Sequence, residues 1–504
     1  MCNNSSRWIH YGYLTPGSRE VILFLITIVF ALLISRIIYN IYFHPLAQFP
    51  GPFWARATLL WRFYHTMSGR SHRAIQAQHK LHGHVFRVSP NELSFASVSS
   101  WKGIYGFPPP GQPQLVKGEF YDIYGAGFKT GCIGSERDPA KHARKKKNLT
   151  AAFSVKALQQ QEAIVQKAVD GNISAKSEGS GLNIVSWMEM VTFDVLGEMA
   201  FGESFHCVEK EKHHGWIDLI LKHLLEITLV DNLRRFSALA TLGKWLLPSL
   251  TVAVRNEHSN DARRKVELRL QADNVRQDFL TAIVNKVKTG EVPKEELTAH
   301  ASTLIIAGGE TTATCLAATT YYLLKTPPAL RKLTHEIRTR YNHYTDIVAT
   351  SAQQLPYLQA VLQESLRIYP PGSLGFPRIS PGCQIDGVWI PRGTEVYTSA
   401  FSVTHDEEYF HDPESFIPER WLDENASVDE RKDVREASQP FSLGYRACIG
   451  RNFAFMQMTS IMAKMLFTYD IELVNENLDF EAASHCHVMW WKAPVWVRFL
   501  NRAQ

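Results

Sequence analysis

Cysteine is scarce in this 504-residue chain: seven residues, at positions 2, 132, 207, 315, 383, 448 and 486, with no Cys-x-x-Cys pair. An odd, scattered set excludes the stapled framework of a small secreted domain and reads as reduced thiols on the cytosolic side. It leaves room for one thiol with a special task. Excess charge of one sign is missing too. The net charge is +5, with 20% charged residues and no long basic tail, so nucleic acid is not an expected partner. A dinucleotide fingerprint is absent: Gly125-Ala-Gly127 has Thr130 where the third glycine belongs, and no βαβ pattern surrounds it. Any electrons the chemistry needs must therefore come from a separate protein. His485-Cys-His487 and His79, His82 and His84 look like metal spacings, but neighbours on a strand point to opposite faces and no partner cluster accompanies them. No internal repeat or low-complexity linker interrupts the chain, so one large body is expected.

What is present begins with a long apolar run. Val21 to Ser35 carries no charge, and the apolar character resumes after Arg36 as far as Phe43. Roughly 23 residues at about 1.5 Å each span a hydrocarbon core of about 30 Å. No small-residue cleavage site flanks the run, which favours a retained anchor over a removed signal peptide. The expected division is a short tail (1–20), a transmembrane anchor (21–43), a Pro-rich hinge (44–52) and a main body (53–504). Pro45, Pro50 and Pro52 stiffen the hinge. Residues 82–96 alternate around a Ser-Pro-Asn turn and predict a β-hairpin. From about 137 to 345 the pattern is helical, including one long apolar helix over 295–324 stopped by Pro327 and Pro328. A helix over 357–369, short strands at 387–390 and 395–399, a helix over 450–467 and paired C-terminal strands complete a mainly α body with small sheets.

The segment that carries chemistry is Phe441-Ser-Leu-Gly-Tyr-Arg-Ala-Cys-Ile-Gly450. It puts Cys448 at the mouth of a helix, between glycines that let backbone approach something flat. Orphan N–H groups at a helix N-terminus favour the thiolate. This decapeptide resembles the haem-binding signature of the cytochrome P450 superfamily. Ala307-Gly-Gly-Glu-Thr-Thr312, Glu364-Ser-Leu-Arg367 and Pro418-Glu-Arg-Trp421 match further family motifs in the right order. The resemblance covers essentially the whole chain, and it implies the fold and cofactor of that family. Cys448 becomes the axial ligand of haem b (iron protoporphyrin IX), where a thiolate pushes electron density toward oxygen. Phe441, Gly444 and Gly450 shape the loop, and Arg446 is expected at a haem propionate.

In the central helix, two mid-helix glycines each cost about 1 kcal/mol against alanine. Close approach of a flat ligand, or a groove for dioxygen, would give them a reason. Glu310 and Thr311 are expected to form an acid–alcohol pair relaying protons to the oxygen site. The bland alternative has Thr311 bonded back to a carbonyl one turn earlier. The resemblance joins Glu364 and Arg367 to Arg420 in a buried structural network. It also points to Arg378, His142 and Lys146 as propionate contacts, the last two standing where many members carry a Trp and an Arg. Lysine lacks the planar fork of arginine, so that contact departs from the family pattern.

The resemblance further implies O2 and NADPH-derived electrons as co-substrates. A membrane-bound NADPH-cytochrome reductase is the expected donor, with cytochrome b5 as a second candidate. The chain would then sit in the endoplasmic reticulum membrane with its body in the cytosol. Of the glycosylation sequons, Asn3 and Asn4 would face the lumen, while Asn148, Asn172 and Asn425 would stay cytosolic and unmodified. The hinge and hairpin most resemble filamentous-fungal members from specialised metabolism, and a hydrophobic terpenoid, polyketide or alkaloid is the expected kind of substrate. Expected pocket segments are roughly 101–124, 219–250, 303–311, 373–376 and 487–490. Two other readings stand beside this one: a reductase-independent haem-thiolate isomerase or dehydratase, and a non-enzymatic membrane protein with a structural or redox-sensing thiol.

Overall fold

A computed structural model describes residues 16–125, 127–173, 181–236, 248–271, 278–422 and 433–502. The sequons at Asn3, Asn4 and Asn425 and pocket residues 237–247 lie outside that set. The anchor helix, Pro16–Ile38, runs on through one wider turn, Tyr39–Phe43. Its apolar side chains are exposed rather than packed, and by length and composition Arg19–Phe43 is long enough to cross a membrane. The following Pro-rich segment lies against the first strand of the body: Arg87 donates its backbone N–H to Pro50 O at 2.7 Å and its guanidinium to Asn40 O at 2.7 Å.

The predicted hairpin forms, as Val85–Ser89 paired antiparallel to Glu92–Phe95. It continues into a five-stranded sheet through Glu395–Thr398, Arg378–Ile379 and Val116–Lys117. In this sheet Lys117 pairs directly with Arg378. Two smaller C-terminal elements close the chain. His485–His487 pairs with Met489–Trp491, and Trp496–Asn501 pairs with Tyr469–Leu473 and with Leu182–Asn183. The two halves of the C-terminal apolar run therefore pair with different partners instead of with each other.

The central helix spans Lys294–Lys325 and is buried on almost every side. Glu295 and Glu296 in its first turn complement its positive end, and Pro327 prevents its continuation. Its main neighbour is the helix Ile184–Phe201, started by the Asn183 side chain and ended by Gly202 in the left-handed region. The two glycines of the central helix belong to this contact. A Cβ at Gly308 would come within 3.1 Å of Leu196, and one at Gly309 within 3.4 Å. Packing against the neighbouring helix is thus one reason for the small size of Gly308.

Candidate active site

The loop 441–450 is closed by Cys448, whose N–H donates to Phe441 O at 2.8 Å. Gly444 has φ +68°, and a Cβ there would lie 2.3 Å from Tyr105 O, so only glycine fits. Helix Arg451–Thr468 follows directly, with Gly450 at its cap. The Cys448 sulfur opens into an interior cavity and is otherwise enclosed by protein. Burial pushes its thiol above the ordinary value, while the N–H groups of Gly450 and Arg451, together with Lys146, pull the other way. The helix terminus alone thus does not produce the low pKa expected from sequence, because desolvation outweighs it. A coordinated metal ion would supply the missing stabilisation of a thiolate.

Facing the sulfur across the cavity is the central helix, through Thr303, Ala307, Thr311 and Thr312. Phe120, Tyr124, Phe376, Val488 and Met489 make much of the remaining wall apolar. The cavity has a volume of about 280 Å³, at the low end of the roughly 300–1,000 Å³ of small-molecule pockets. A neighbouring cavity lined by Trp61, Arg62, Asp231, Arg235 and Glu395 shares Phe120, Gly372, Phe376 and Val488 with it. Val488, a β-branched residue, holds φ +74° on this partition. Such backbone costs of order 1–3 kcal/mol and tends to cluster at ligand clamps. Thr228, Asp231, Asn232 and Arg235, from the expected segment 219–250, line the neighbouring cavity.

Three cations meet at one end of the main cavity: Lys117, Arg378 and Arg446. Among the described residues none forms an ion pair with a carboxylate. Lys117 donates to Ile133 O at 3.3 Å and to Gly134 O; Arg446 donates to Glu136 O at 2.7 Å and Arg137 O at 2.8 Å; Arg378 donates to Tyr121 Oη at 3.1 Å. Burial, then Arg446 and Arg378, hold the Lys117 ammonium well below the usual lysine range. Burial, then Arg378, bring Arg446 down to about 10. Like charges directly across a sheet are destabilising, so this end of the cavity is suited to an anion. Two propionates on a flat ring fit it.

Lys117 was not among the residues singled out from sequence. Its only sequence signal is its place within the expected pocket segment 101–124, since a two-residue strand shows no periodicity. His142 and Lys146 do not line the cavity. His142 is buried nearby, brought down to about 3 by burial and then by Arg446, Lys117, Lys146 and Arg378. Lys146 donates to Tyr445 O at 2.8 Å and so braces the cysteine loop. Phe441 lines the cavity and packs against Phe455 at 5.5 Å.

Thr311 donates its hydroxyl to Ala307 O at 2.5 Å, the back-bond of the bland alternative, while still lining the cavity. Its oxygen keeps lone pairs for an incoming donor. Glu310 is not among the lining residues. Its carboxylate receives the ammonium of Lys492, and Thr314 lies at 3.5 Å. Behind the site, Glu364 takes a two-pronged contact from Arg367, with both distances 2.8 Å, and further bonds from Arg420 at 3.2 Å, Trp421 Nε1 at 2.9 Å and Ile417 N–H at 2.9 Å. Burial would raise this carboxyl, but the two arginines win and hold it below the usual range.

A haem-thiolate enzyme is the class that this helical fold and cysteine-lined cavity define. The sequence matches the family model "Cytochrome P450" over residues 48–484. It is 56% identical to "Cytochrome P450 monooxygenase ORF9" of Penicillium roqueforti (strain FM164), over 92% of this chain and 91% of the relative. It is 48% identical to "Cytochrome P450 monooxygenase BOT4" of Botryotinia fuckeliana, over 94% and 90% of the two chains. The fold also matches the solved heme domain of cytochrome P450DA, with TM-score 0.73, 16% identity, and 88% and 95% coverage of the two chains. The chain belongs to the cytochrome P450 family. It is a haem-thiolate monooxygenase, using haem b, O2 and NADPH-derived electrons, which a redox-partner reductase supplies, and acting on hydrophobic substrates.

Proposed function

We propose that this monooxygenase is held in the endoplasmic reticulum membrane by residues 21–43, with residues 1–20 in the lumen, 44–52 as hinge and 53–504 in the cytosol. The exposed apolar anchor helix supports that arrangement. A membrane-bound NADPH-cytochrome reductase then supplies the electrons, with cytochrome b5 as a second donor. The substrate is a hydrophobic small molecule of fungal specialised metabolism, a terpenoid, polyketide or alkaloid that is hydroxylated or epoxidised. Likeness to the Penicillium and Botryotinia monooxygenases supports a fungal monooxygenase, and the apolar cavity wall supports a hydrophobic substrate.

The observation that carries the site assignment is one cavity uniting the Cys448 sulfur, the Thr311 hydroxyl and three carboxylate-free cations. In this reading Cys448 holds the haem iron, and Arg378, Arg446 and Lys117 hold the propionates. His142 and Lys146 act from behind the loop. When bound, haem supplies the oxidising chemistry and the protein directs it. Thr311 accepts and passes on a proton at Oγ1, Glu310 is the nearby proton source, and the apolar wall excludes water. Glu364, Arg367 and Arg420 hold the loop's support. A reduced, carbon-monoxide-treated spectrum tests the ligand: wild type gives the thiolate band and Cys448→Ser abolishes it, whereas survival of the band refutes the assignment. Thr311→Ala is expected to raise peroxide released per NADPH consumed. Unchanged coupling removes Thr311 from proton transfer.

A further inference from the structure

The Glu310 carboxylate is held in a buried cluster built from three separate parts of the chain. Lys492, just past the strand Met489–Trp491, donates its ammonium to Glu310 Oε1 and lies 3.0 Å from Glu189 Oε1 and 3.3 Å from Thr314 Oγ1. Glu189 comes from the helix Ile184–Phe201, whose Thr192 also donates to Gly309 O at 3.1 Å. The Lys492 side chain is 1% exposed, Glu310 5% and Glu189 9%. On the far side, Glu189 Oε2 lies 3.6 Å from His213 Nε2, and that imidazole is 27% exposed and hydrogen-bonded to Ser186 Oγ at 2.6 Å. A row of titratable groups thus runs from a solvent-touched histidine to the residue beside Thr311.

Two carboxylates share one ammonium here, an imbalance that a purely structural buried pair would avoid. Burial pushes Glu310 up, Lys492 opposes it, and the Glu189 charge pushes it further, to about 7. Lys492 remains charged, since Glu310 and Glu189 together outweigh its burial and raise it. These are the charged groups facing Glu310 from the packed elements: Lys492 from the C-terminal hairpin and Glu189 from the neighbouring helix, with Thr314 the uncharged contact on its own helix.

We infer that Glu189 and Lys492 are positioning residues that keep a transferable proton on Glu310 and replenish it from the His213 side. The inference rests on the reading of Glu310 as the proton source. Each hop moves one proton and no electrons. Glu310 gives its proton toward Thr311 after its carboxyl rotates from Lys492 to the cavity side, and returns as a carboxylate. Lys492 keeps its ammonium throughout and holds the two carboxylates together, so Glu310 regains its proton from Glu189, which is refilled from water through His213. Net transfer is one proton from solvent to Glu310.

The test uses the full-length haem-loaded enzyme. Its first readout is the infrared carboxylic C=O band titrated against pH; its second is product formed per NADPH. Wild type is expected to show a buried carboxyl titrating near neutrality that vanishes in Glu310→Gln. In Glu189→Gln its midpoint moves to lower pH, and in Lys492→Met to higher pH. Product per NADPH falls at least about tenfold in Lys492→Met, less than the roughly 10²–10⁴-fold that a positioned acid itself contributes, and Lys492→Arg restores much of it. Should Lys492→Met fail to fold, Glu189→Gln and Lys492→Arg carry the test through the same band. A Glu310 band that stays put in Glu189→Gln and in whichever lysine variant folds overturns the inference and leaves a structural clasp. Unchanged coupling in Glu310→Gln is a different failure: it removes Glu310 as proton source, and the inference falls with it.

Discussion

Two buried charge clusters flank the cysteine loop, and they are built on opposite principles. In the cluster behind the loop, Glu364 faces Arg367 and Arg420, Arg420 also meets Asp433 at 2.7 Å, and the remaining Arg367 hydrogens go to the carbonyls of Thr404, Pro413 and Ser415. Every charge has its counterpart within the fold. In the cluster at the cavity end, Lys117, Arg378 and Arg446 lean on backbone carbonyls and repel one another. A fold stabilises itself with the first arrangement and tolerates the second only where something else binds. Charge balance therefore separates the scaffold from the ligand site more sharply than burial does, since both clusters are buried.

The largest expected effect breaks the balanced side. Glu364→Gln leaves Arg367 buried without a carboxylate and Arg420 with Asp433 alone, which costs about 3–5 kcal/mol. Denaturant unfolding should show that loss, along with little or no haem incorporation. Loss under about 1 kcal/mol would mean the network is solvated in solution. The unbalanced side should answer in the opposite sense. Lys117→Met removes a repelling cation, so the haem-free chain keeps its stability or gains. Haem binding loses a charge-assisted bond of about 1.5–3 kcal/mol, or roughly ten- to a hundredfold in the rate of haem transfer to an acceptor protein. Arg378→Met should behave alike. Equal haem retention in both variants would take the propionates away from this end of the cavity.

A pH experiment sharpens the same contrast. His142 is held down to about 3 when folded, against about 6.5 when unfolded. Between those values the unfolded chain binds the extra proton, so stability is complete above about 6.5 and is lost as pH falls toward 3. His142→Gln should flatten that part of the urea-midpoint profile of the haem-free chain. An unchanged slope would show that His142 is solvated.

Legibility from sequence followed how local each arrangement is. The cysteine loop was readable because its ligand, glycines and helix start lie within ten residues. Helices 294–325 and 356–368 were readable because prolines bound their apolar runs, and 451–468 because its apolar run starts at the cysteine loop's Gly450. The network of Glu364, Arg367 and Arg420 came from motif resemblance, and the contacts themselves needed the fold. Lys117 was out of reach, since only strand register sets it opposite Arg378. So was Lys492, which meets Glu310 because a C-terminal hairpin folds back over the central helix. The expected contacts at His142 and Lys146 come from family resemblance across two departures from its pattern, and neither side chain lines the cavity.

The smallest expected effect concerns Gly308, where sequence suggested a ligand and packing supplies another reason. Alanine gains about 1 kcal/mol of helix propensity over glycine. Its Cβ would stand 3.1–3.2 Å from the Leu196 methyl carbons, tight contacts that a leucine side chain relieves by a small rotation at a cost of up to about 1.5 kcal/mol. The two terms nearly cancel, so Gly308→Ala should unfold within about 1 kcal/mol of wild type. Haem content and the carbon-monoxide band should stay unchanged, because the added methyl points at the neighbouring helix. Double substitution with Leu196→Ala makes the argument decisive. The shorter side chain removes the clash, so alanine at 308 should then stabilise that background by most of its propensity gain. If instead Gly308→Ala lowers haem content while leaving stability intact, the glycine serves the cofactor face and the packing explanation is wrong.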